Sequence, residues 1–292
     1  MRALPSILLL LLFTLNSQAQ YGTFDARAVS AAKANTTLVV LDDGDSPYNR
    51  TILDAVKAHW KFGSYDIIRA SELATAPLSA DRNYLLKTHK VDPDKYGATF
   101  LTLCKGWKQK KGEALVVENN AVTNLPAEHE LAFLLIDPAA MAETNTSSFL
   151  NVYVKNLQDY LKQVENGKIT DKTTADRLYT GRNRLMRDGL EIWMAAPHLD
   201  KSLPDAGAVK AVYQHDLQVK ELAQLASAAA EGKSGVAITD VVLTGDHKNK
   251  WAFKRIFNAN TGELMYQRDE AAVYGKKEGF LDEDLKTVER AR

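Results

Sequence analysis

Three aspartates in one short stretch are the residues of this sequence best placed to do chemistry. The stretch Thr37–Trp60 reads TLVVLDDGDSPYNRTILDAVKAHW and holds Asp42, Asp43 and Asp45 directly after an apolar run. Carboxylates at the end of a buried strand can act as a nucleophile, as an acid and base, or as ligands for Mg²⁺. They can equally form the polar turn between a strand and a helix. The flanking elements decide between these two interpretations.

The residues on either side of the aspartates favour a structural turn. The apolar run before them is typical of a strand that is buried on both faces. Ser46 suits the N-cap of a helix and Pro47 suits its first position, because proline has no N–H to leave unpaired. Apolar residues then recur at helical spacing from Tyr48 to Trp60. We therefore expect the carboxylates to stabilise the positive end of this helix.

A second set of residues extends the aspartates towards a catalytic pattern. Asp43 and Asp45 are followed by Thr88 after YLLK and by Asp246 after VVLTG. This order resembles the haloacid-dehalogenase-type phosphohydrolases. The resemblance implies that Asp43 is the nucleophile, that Asp45 is the acid and base, and that the late acid holds Mg²⁺.

The sequence departs from that family at two of its positions. Ser46-Pro47 enters a helix directly, where the family continues towards an apolar turn. The last motif has Lys250 in place of a further acid. Gly245-Asp246 is a residue pair that is common in hairpin turns. An exported metal-dependent phosphohydrolase using Asp43 and Asp45 is therefore the alternative, and we expect Asp246 to lie far from both.

The remaining residues with catalytic potential do not form a recognisable motif. Cys104 lies inside an apolar strand, which favours a buried structural thiol. No nucleophile elbow, phosphate-binding glycine loop or dinucleotide fingerprint is present. The histidines are all isolated, without the spacing of a metal site: His59, His89, His129, His198, His215 and His247. The sequence assigns no catalytic residue, metal or cofactor, and it favours a protein that is not an enzyme.

The amino-terminal residues predict export. Met1-Arg2 precede an apolar core from Ile7 to Leu15, and small residues follow at Ser17 and Ala19, as in a signal peptide with cleavage after residue 19. No later stretch approaches the ~20 apolar residues of a transmembrane helix. We expect a mature chain without a transmembrane segment, in the periplasm or outside the cell.

The composition limits the partners that the protein can have. The chain has 37 basic and 37 acidic residues, so it has no broad electrostatic attraction to nucleic acid or to an anionic membrane. Basic clusters around Lys108 and around Arg182 are predicted to be solvated loops. Trp107, between lysines in a turn, either packs on its own hairpin or contacts a sugar, a membrane surface or a partner.

The order of apolar segments predicts an α/β or α+β fold with mixed sheets in two βαβ-containing halves. We expect the signal peptide at residues 1–19, a first domain at 20–167, a polar linker at 168–187 and a second domain at 188–292. YDIIRASELA in the first half matches HDLQVKELAQ in the second. Either an internal duplication or two unrelated α/β halves would explain this match.

One predicted hairpin resembles a second protein family. Residues Phe257 to Gln267 read FNANTGELMYQ and look like the hairpin of exported PepSY-type domains, with a position tolerant of positive φ near Gly262. More broadly, the chain is similar to exported two-part α/β proteins of the bacterial cell envelope with unassigned function. This implies a binding or interaction module for an unknown protein or small molecule, through strand-end loops or a cleft between the halves.

Removal of residues 1–19 is a direct prediction. Export with cleavage after Ala19 leaves a mature chain that begins at Gln20. Mass spectrometry of the purified protein measures this terminus, and an intact Met1 in a cytoplasmic pool would refute the prediction.

Overall fold

A computed structural model describes residues 21–75, 78–92, 96–110 and 113–291. These residues form two mixed β-sheets with helices packed around them, which confirms the predicted α/β to α+β class. No helix in the described ranges has both the length and the apolar character needed to cross a membrane. The predicted signal peptide lies outside the described residues.

Each half begins with alternating α-helices and strands and continues with consecutive strands. The α-helices are α1 (Ala26–Lys33), α2 (Pro47–His59), α3 (Ala70–Thr75), α4 (Pro138–Met141), α5 (Leu150–Glu165), α6 (Lys172–Gly189), α7 (Ala206–Val212), α8 (Leu222–Glu231) and α9 (Asp282–Glu289). The strands are β1 (Thr36–Leu41), β2 (Tyr65–Arg69), β3 (Arg82–Asp92), β4 (Tyr96–Lys105), β5 (Val117–Glu118), β6 (Ala121–Val122), β7 (Glu130–Ile136), β8 (Glu191–Ala195), β9 (Leu217–Lys220), β10 (Val236–Thr244), β11 (Trp251–Asn258) and β12 (Leu264–Ala271).

The two sheets have the same topology. The first has the order β2-β1-β3-β4-β7, and the second has the order β9-β8-β10-β11-β12. In each, the first three strands of the order are parallel and the last two are antiparallel. The short β5–β6 hairpin is an addition to the first sheet, since β6 pairs with β3 beyond the end of β1. The matching sequence segments fall on β2 and α3 in one half and on β9 and α8 in the other. Both observations are those expected of an internal duplication, one of the two explanations that the sequence left open.

A single buried core joins the halves. Helices α1, α2 and α5 cover one face of the first sheet, and their core continues through α8 to Ile238 and Phe257 of the second sheet. The opposite face of the first sheet packs partly on the second sheet, where Phe100 and Phe133 meet Val242 and Phe253. Helices α6, α7 and α9 contribute to a separate core around the far face of the second sheet.

The predicted linker at residues 168–187 is largely helical. Most of it belongs to the 18-residue helix α6, which begins with a capping box between Asp171 and Thr174. Its buried positions include Ala175, Tyr179 and Met186, three to four residues apart along one face. The many charged residues between them hid this narrow stripe. The segment therefore belongs to the packed structure of the second half.

Arg255 ties the two halves together. Its side chain is 0% exposed, and one guanidinium nitrogen lies 2.5 Å from the Asp240 carboxylate. Another donates to the backbone carbonyl of Leu135 at 2.8 Å. Because Leu135 lies on β7, the edge strand of the first sheet, this bond satisfies a carbonyl outside the strand ladder. The guanidinium also lies 5.6 Å from the ring centroids of Tyr153 and Phe257.

The β11–β12 hairpin turn docks on the first half. Gly262 has φ +72°, which confirms the predicted need for positive φ in this turn. A Cβ at this position would lie 2.3 Å from Cβ of Lys155, so glycine also allows the close approach to α5. The amide of Asn156 donates to the carbonyl of Gly262 at 3.0 Å, and Lys155 donates to the carbonyls of Ala259 and Asn260.

We predict that Arg255→Met lowers the free energy of unfolding by about 3–5 kcal/mol, because Asp240 is left buried without its partner. The double variant Arg255→Met/Asp240→Leu should regain part of this loss. Urea denaturation measures both. The exposed pair Arg50–Asp45 is the control, since Arg50→Met should cost under about 1 kcal/mol. A loss for Arg255→Met no larger than that of the control would contradict the role given to Arg255.

Candidate functional site

The aspartates after β1 form a structural turn. Ser46 caps α2 by accepting a hydrogen bond from the backbone N–H of Asn49 at 3.1 Å, and Pro47 is the first helical residue, both as predicted. The side chain of Asp45 pairs with Arg50 at 2.7 Å on the exposed surface. This end of the turn is therefore occupied by capping and by a surface ion pair.

Side chains from three other places fix the rest of the turn. The amide of Asn49 accepts from the backbone N–H of Asp42 and donates to the carbonyls of Asp42 and Gly44. Arg69 donates to the same two carbonyls. The Asp43 carboxylate accepts from the backbone N–H and the hydroxyl of Ser71. The carboxylates and the backbone of the turn are thus engaged within the protein itself.

Asp42 belongs to a buried ion pair that sequence reasoning did not find. One of its oxygens lies 2.5 Å from Nζ of Lys87, and the two side chains are 12% and 11% exposed. The ammonium also lies 4.5 Å from the ring centroid of Tyr48, and burial raises the pKa of the Tyr48 hydroxyl. The pair lies at the carboxyl end of β1, where the strand order reverses and where many α/β proteins bind ligands. Here the position is filled by the protein's own side chains.

The residues of the phosphohydrolase pattern lie in separate places. The hydroxyl of Thr88 bonds with Thr102 inside the first sheet, on the face opposite Lys87. Asp246 lies in the β10–β11 turn of the second sheet, where it accepts backbone N–H groups of Lys248 and Asn249. The described ranges hold no group of three His, Cys, Asp or Glu side chains that could bind a metal ion. The geometry gives this alternative no common site.

The equivalent end of the second sheet holds a buried histidine. His198 follows β8, and its Nδ1 lies 2.9 Å from the hydroxyl of Thr239. Burial lowers the pKa of His198 to about 4, although nearby Asp240 opposes this effect, so the imidazole is neutral at physiological pH. It lines a crevice of about 300 Å³ with Val241 and Leu243. Asp240 itself is engaged by Arg255, so it is not free to orient this histidine as a base.

A cavity of about 890 Å³ lies between the halves beside α2, α5 and the β11–β12 turn. Several of its charged groups bond to other parts of the protein. Lys33 pairs with Glu165 at 3.0 Å, and Lys155 donates hydrogen bonds to two carbonyls of the β11–β12 turn. Asp159 and Glu263 both pair with Arg182, which is buried although its cluster was predicted to be a solvated loop. We interpret this cavity as a gap left where the two halves pack together, and not as a ligand site.

A different cavity, of about 520 Å³, has the features of a binding site. It lies between α6, the β11–β12 strands and the first described residue, and we call it the tyrosine cleft. The residues that line it include Tyr21, Lys172, Asp176, Tyr179, Asn183, Trp251, Tyr266, Gln267 and Arg268. Lys172, Asp176, Tyr179 and Asn183 recur every three or four positions, so these four share one face of α6.

A hydrogen-bond network fixes one wall of the tyrosine cleft. The hydroxyl of Tyr21 accepts from Nε2 of Gln267 at 2.6 Å and donates to one oxygen of Asp176 in a short hydrogen bond. Nζ of Lys172 lies 2.7 Å from the other oxygen of Asp176. Burial, with a further contribution from Asp176, raises the pKa of the Tyr21 hydroxyl, which therefore keeps its proton. The ring of Tyr21 stacks on Tyr179 with centroids 6.3 Å apart.

Two amide groups of the cleft are unsatisfied. Asn183 is 5% exposed, and its Oδ1 has no hydrogen-bond partner among the described residues. Oε1 of Gln267 also lacks a partner there, because the amide is oriented by its donation to Tyr21. Buried polar groups are nearly always hydrogen-bonded, and an unpaired one costs roughly 1–3 kcal/mol. Both amides belong to residues that line the cleft, and the described residues supply no partner for their oxygens.

Other residues singled out in the sequence have structural positions. Cys104 is 0% exposed and unpaired, as predicted, and burial raises the pKa of its thiol. Trp107 stacks on His129 with centroids 4.1 Å apart, so it packs on a neighbouring segment. Neither residue lines the tyrosine cleft.

Sequence reasoning missed the tyrosine cleft because half of it comes from α6, which was taken for a linker. The spacing of Lys172, Asp176, Tyr179 and Asn183 was the one available signal. Comparisons with known protein families, curated proteins and solved structures find no match to this chain. The function must therefore be argued from the geometry.

Substitutions in the acidic turn should show that Asp42 and Asp43 contribute differently to stability. Asp42→Asn leaves Lys87 buried without its counter-charge, and we expect a loss of about 3–5 kcal/mol in the free energy of unfolding. In Asp43→Asn the amide oxygen can still accept hydrogen bonds from Ser71. This change should therefore lower the free energy of unfolding by less than about 1 kcal/mol. Urea denaturation of both variants gives the comparison. Equal losses would show that the two carboxylates do not differ in the way that the structure indicates.

Proposed function

We propose that this protein is a non-enzymatic binding protein whose ligand is a small uncharged polar molecule held in the tyrosine cleft. The observation that carries the proposal is Asn183, a buried amide that lines the cavity and has an unpartnered oxygen. A volume of about 520 Å³ falls within the roughly 300–1,000 Å³ that is usual for small-molecule sites.

The charges around the cleft support an uncharged ligand. The two oxygens of Asp176 already contact Tyr21 and Lys172. Arg268 lies 3.3 Å from Asp284 and 3.4 Å from Glu283. An ionic ligand would have to compete with these existing partners, whereas an uncharged molecule would leave them in place.

The rest of the lining supports a ligand with both polar and apolar surfaces. Tyr21 and Trp251 are half-buried, and Tyr179 and Tyr266 are buried, so aromatic rings line the cavity together with a larger number of polar side chains. Small-molecule sites combine such rings with polar groups that fix the orientation of the ligand.

The same groups argue against catalysis at this position. The phenol of Tyr266 donates to Asp284 at 2.6 Å, and burial raises its pKa, as it does for Tyr21. Neither phenol is activated as a nucleophile or a base. Asp176 has both oxygens engaged, so it has no free position from which to accept a substrate proton.

The walls of the cleft are rigid, which favours binding. Next to Asn183, the guanidinium of Arg182 pairs with Asp159 of α5 at 2.8 Å and donates to the carbonyl of Leu264. These bonds hold α6 against both the first half and the second sheet. A preformed cavity loses less conformational entropy when it binds a ligand. With the predicted export, this would be a binding protein of the cell envelope.

A thermal-shift screen tests the proposal. The full mature chain is heated with small neutral, anionic and cationic polar compounds, and a ligand at 100 times its Kd adds about 2.7 kcal/mol to stability. We expect hits among the neutral compounds, with the stabilisation lost in Asn183→Leu. The control is Asn145→Leu, the same change at an exposed asparagine whose side chain makes no capping bond. The proposal fails when no compound stabilises the chain, or when its hits stabilise Asn183→Leu as well as the wild type.

A further inference from the structure

We infer that the ligand of the tyrosine cleft is a carbohydrate, of the size of a mono- or disaccharide. This inference rests on the proposed function and names the class of its ligand. It is argued from the arrangement of the amides, the rings and the paired charges around the cavity.

The two unsatisfied amides lie on different walls. Asn183 belongs to α6 and Gln267 belongs to β12, so the hydrogen-bonding groups are distributed around the cavity. A sugar ring carries hydroxyls around its rim, each of which can donate and accept. The amide of Asn183 has a carbonyl and an NH₂ group, so it can bind two neighbouring hydroxyls at once. The oxygen of Gln267 can accept from a third.

The aromatic residues match the other surface of a sugar. The faces of a pyranose ring expose C–H groups, which pack on flat aromatic rings and bury apolar area. Trp251 lines the cleft and packs against the buried cluster around Phe253, which fixes the position of its ring. Tyr21 stacks on Tyr179, and Nζ of Lys172 lies 5.5 Å from its ring centroid, so this ring already has partners in the protein. The protein therefore holds a half-buried indole, that of Trp251, in the same cleft as the unsatisfied amides.

The paired charges disfavour most other polar ligands. Phosphate and carboxylate ligands bind most strongly to an unengaged cation, and an amine binds most strongly to an unengaged carboxylate. Lys172, Asp176 and Arg268 all have partners of opposite charge. An uncharged nucleoside shares the stacking and amide chemistry, but most of its hydrogen-bonding groups lie at the edge of a planar base. Amides on two opposing elements suit a ligand with hydroxyls around its ring.

Saturation-transfer NMR on the full mature chain tests the inference. The probes are glucose, galactose, mannose, xylose, N-acetylglucosamine, maltose and cellobiose, with adenosine, uridine and glucose 6-phosphate for comparison. We expect transfer to at least one neutral sugar, with its C–H protons saturated most strongly where they pack on the rings. The phosphorylated sugar should bind more weakly than glucose.

Matched variants locate the binding. Asn183→Leu removes the unsatisfied amide, and Trp251→Leu removes a ring while leaving the amides; each should weaken sugar binding about tenfold or more. Trp107→Leu makes the same change at a tryptophan outside the cleft and should leave the affinity unchanged. Circular dichroism checks that each variant is folded, and Trp251→Leu keeps the test valid should Asn183→Leu fail to fold.

The possible outcomes test the carbohydrate ligand and the proposed binding function separately. A sugar signal that both cleft variants weaken and Trp107→Leu does not would support the carbohydrate. Binding of a nucleoside or another neutral compound at the cleft, with no sugar bound, would overturn the carbohydrate and leave the proposed function standing. Sugar binding that the cleft variants do not change would overturn this inference, because the site would lie elsewhere. Absence of any small-molecule binding would overturn both.

Discussion

The burial of Arg255 between the two halves is the constraint on which the rest of the structure depends. A guanidinium removed from water needs a counter-charge and hydrogen-bond acceptors. Asp240 supplies the charge from the neighbouring strand, but the carbonyl of Leu135 comes from the edge of the other sheet. Two of its nitrogens, the one on Asp240 and the one on Leu135, are both bonded only when the halves are docked. Its chemistry therefore specifies how the two sheets pack, beyond what apolar contact alone would fix.

The same docking builds the tyrosine cleft. The backbone N–H of Thr23 donates to the carbonyl of Leu131 on the edge strand β7, and Tyr160 donates to the carbonyl of Thr23. These bonds anchor the amino-terminal segment to the first half. Tyr21, two residues earlier, reaches across to Asp176 and Gln267 of the second half. One wall of the cavity is therefore available only in the assembled chain.

The repeated topology places an ionisable cluster at the same point in both sheets, and in both the cluster is internal. Asp42 and Lys87 fill this point in the first sheet, while His198 and Asp240 lie at it in the second. These are positions where open α/β sheets commonly bind ligands. Asp42 pairs with Lys87 and Asp240 pairs with Arg255, so both carboxylates have their counter-charge within the protein. The unsatisfied amides lie instead where α6 crosses β12.

By itself, the sequence determined the features that depend on neighbouring residues. Ser46 and Pro47 predicted the start of α2, and the turn at Gly262 predicted positive φ, because caps and turns are set by local backbone geometry. Only the tertiary structure decided which distant groups meet. Tyr21 and Gln267 are 246 residues apart in the chain, and no local pattern records such a pair. Helix α6 was missed for a related reason, since its buried stripe is narrow and becomes apparent only against the sheet that it covers.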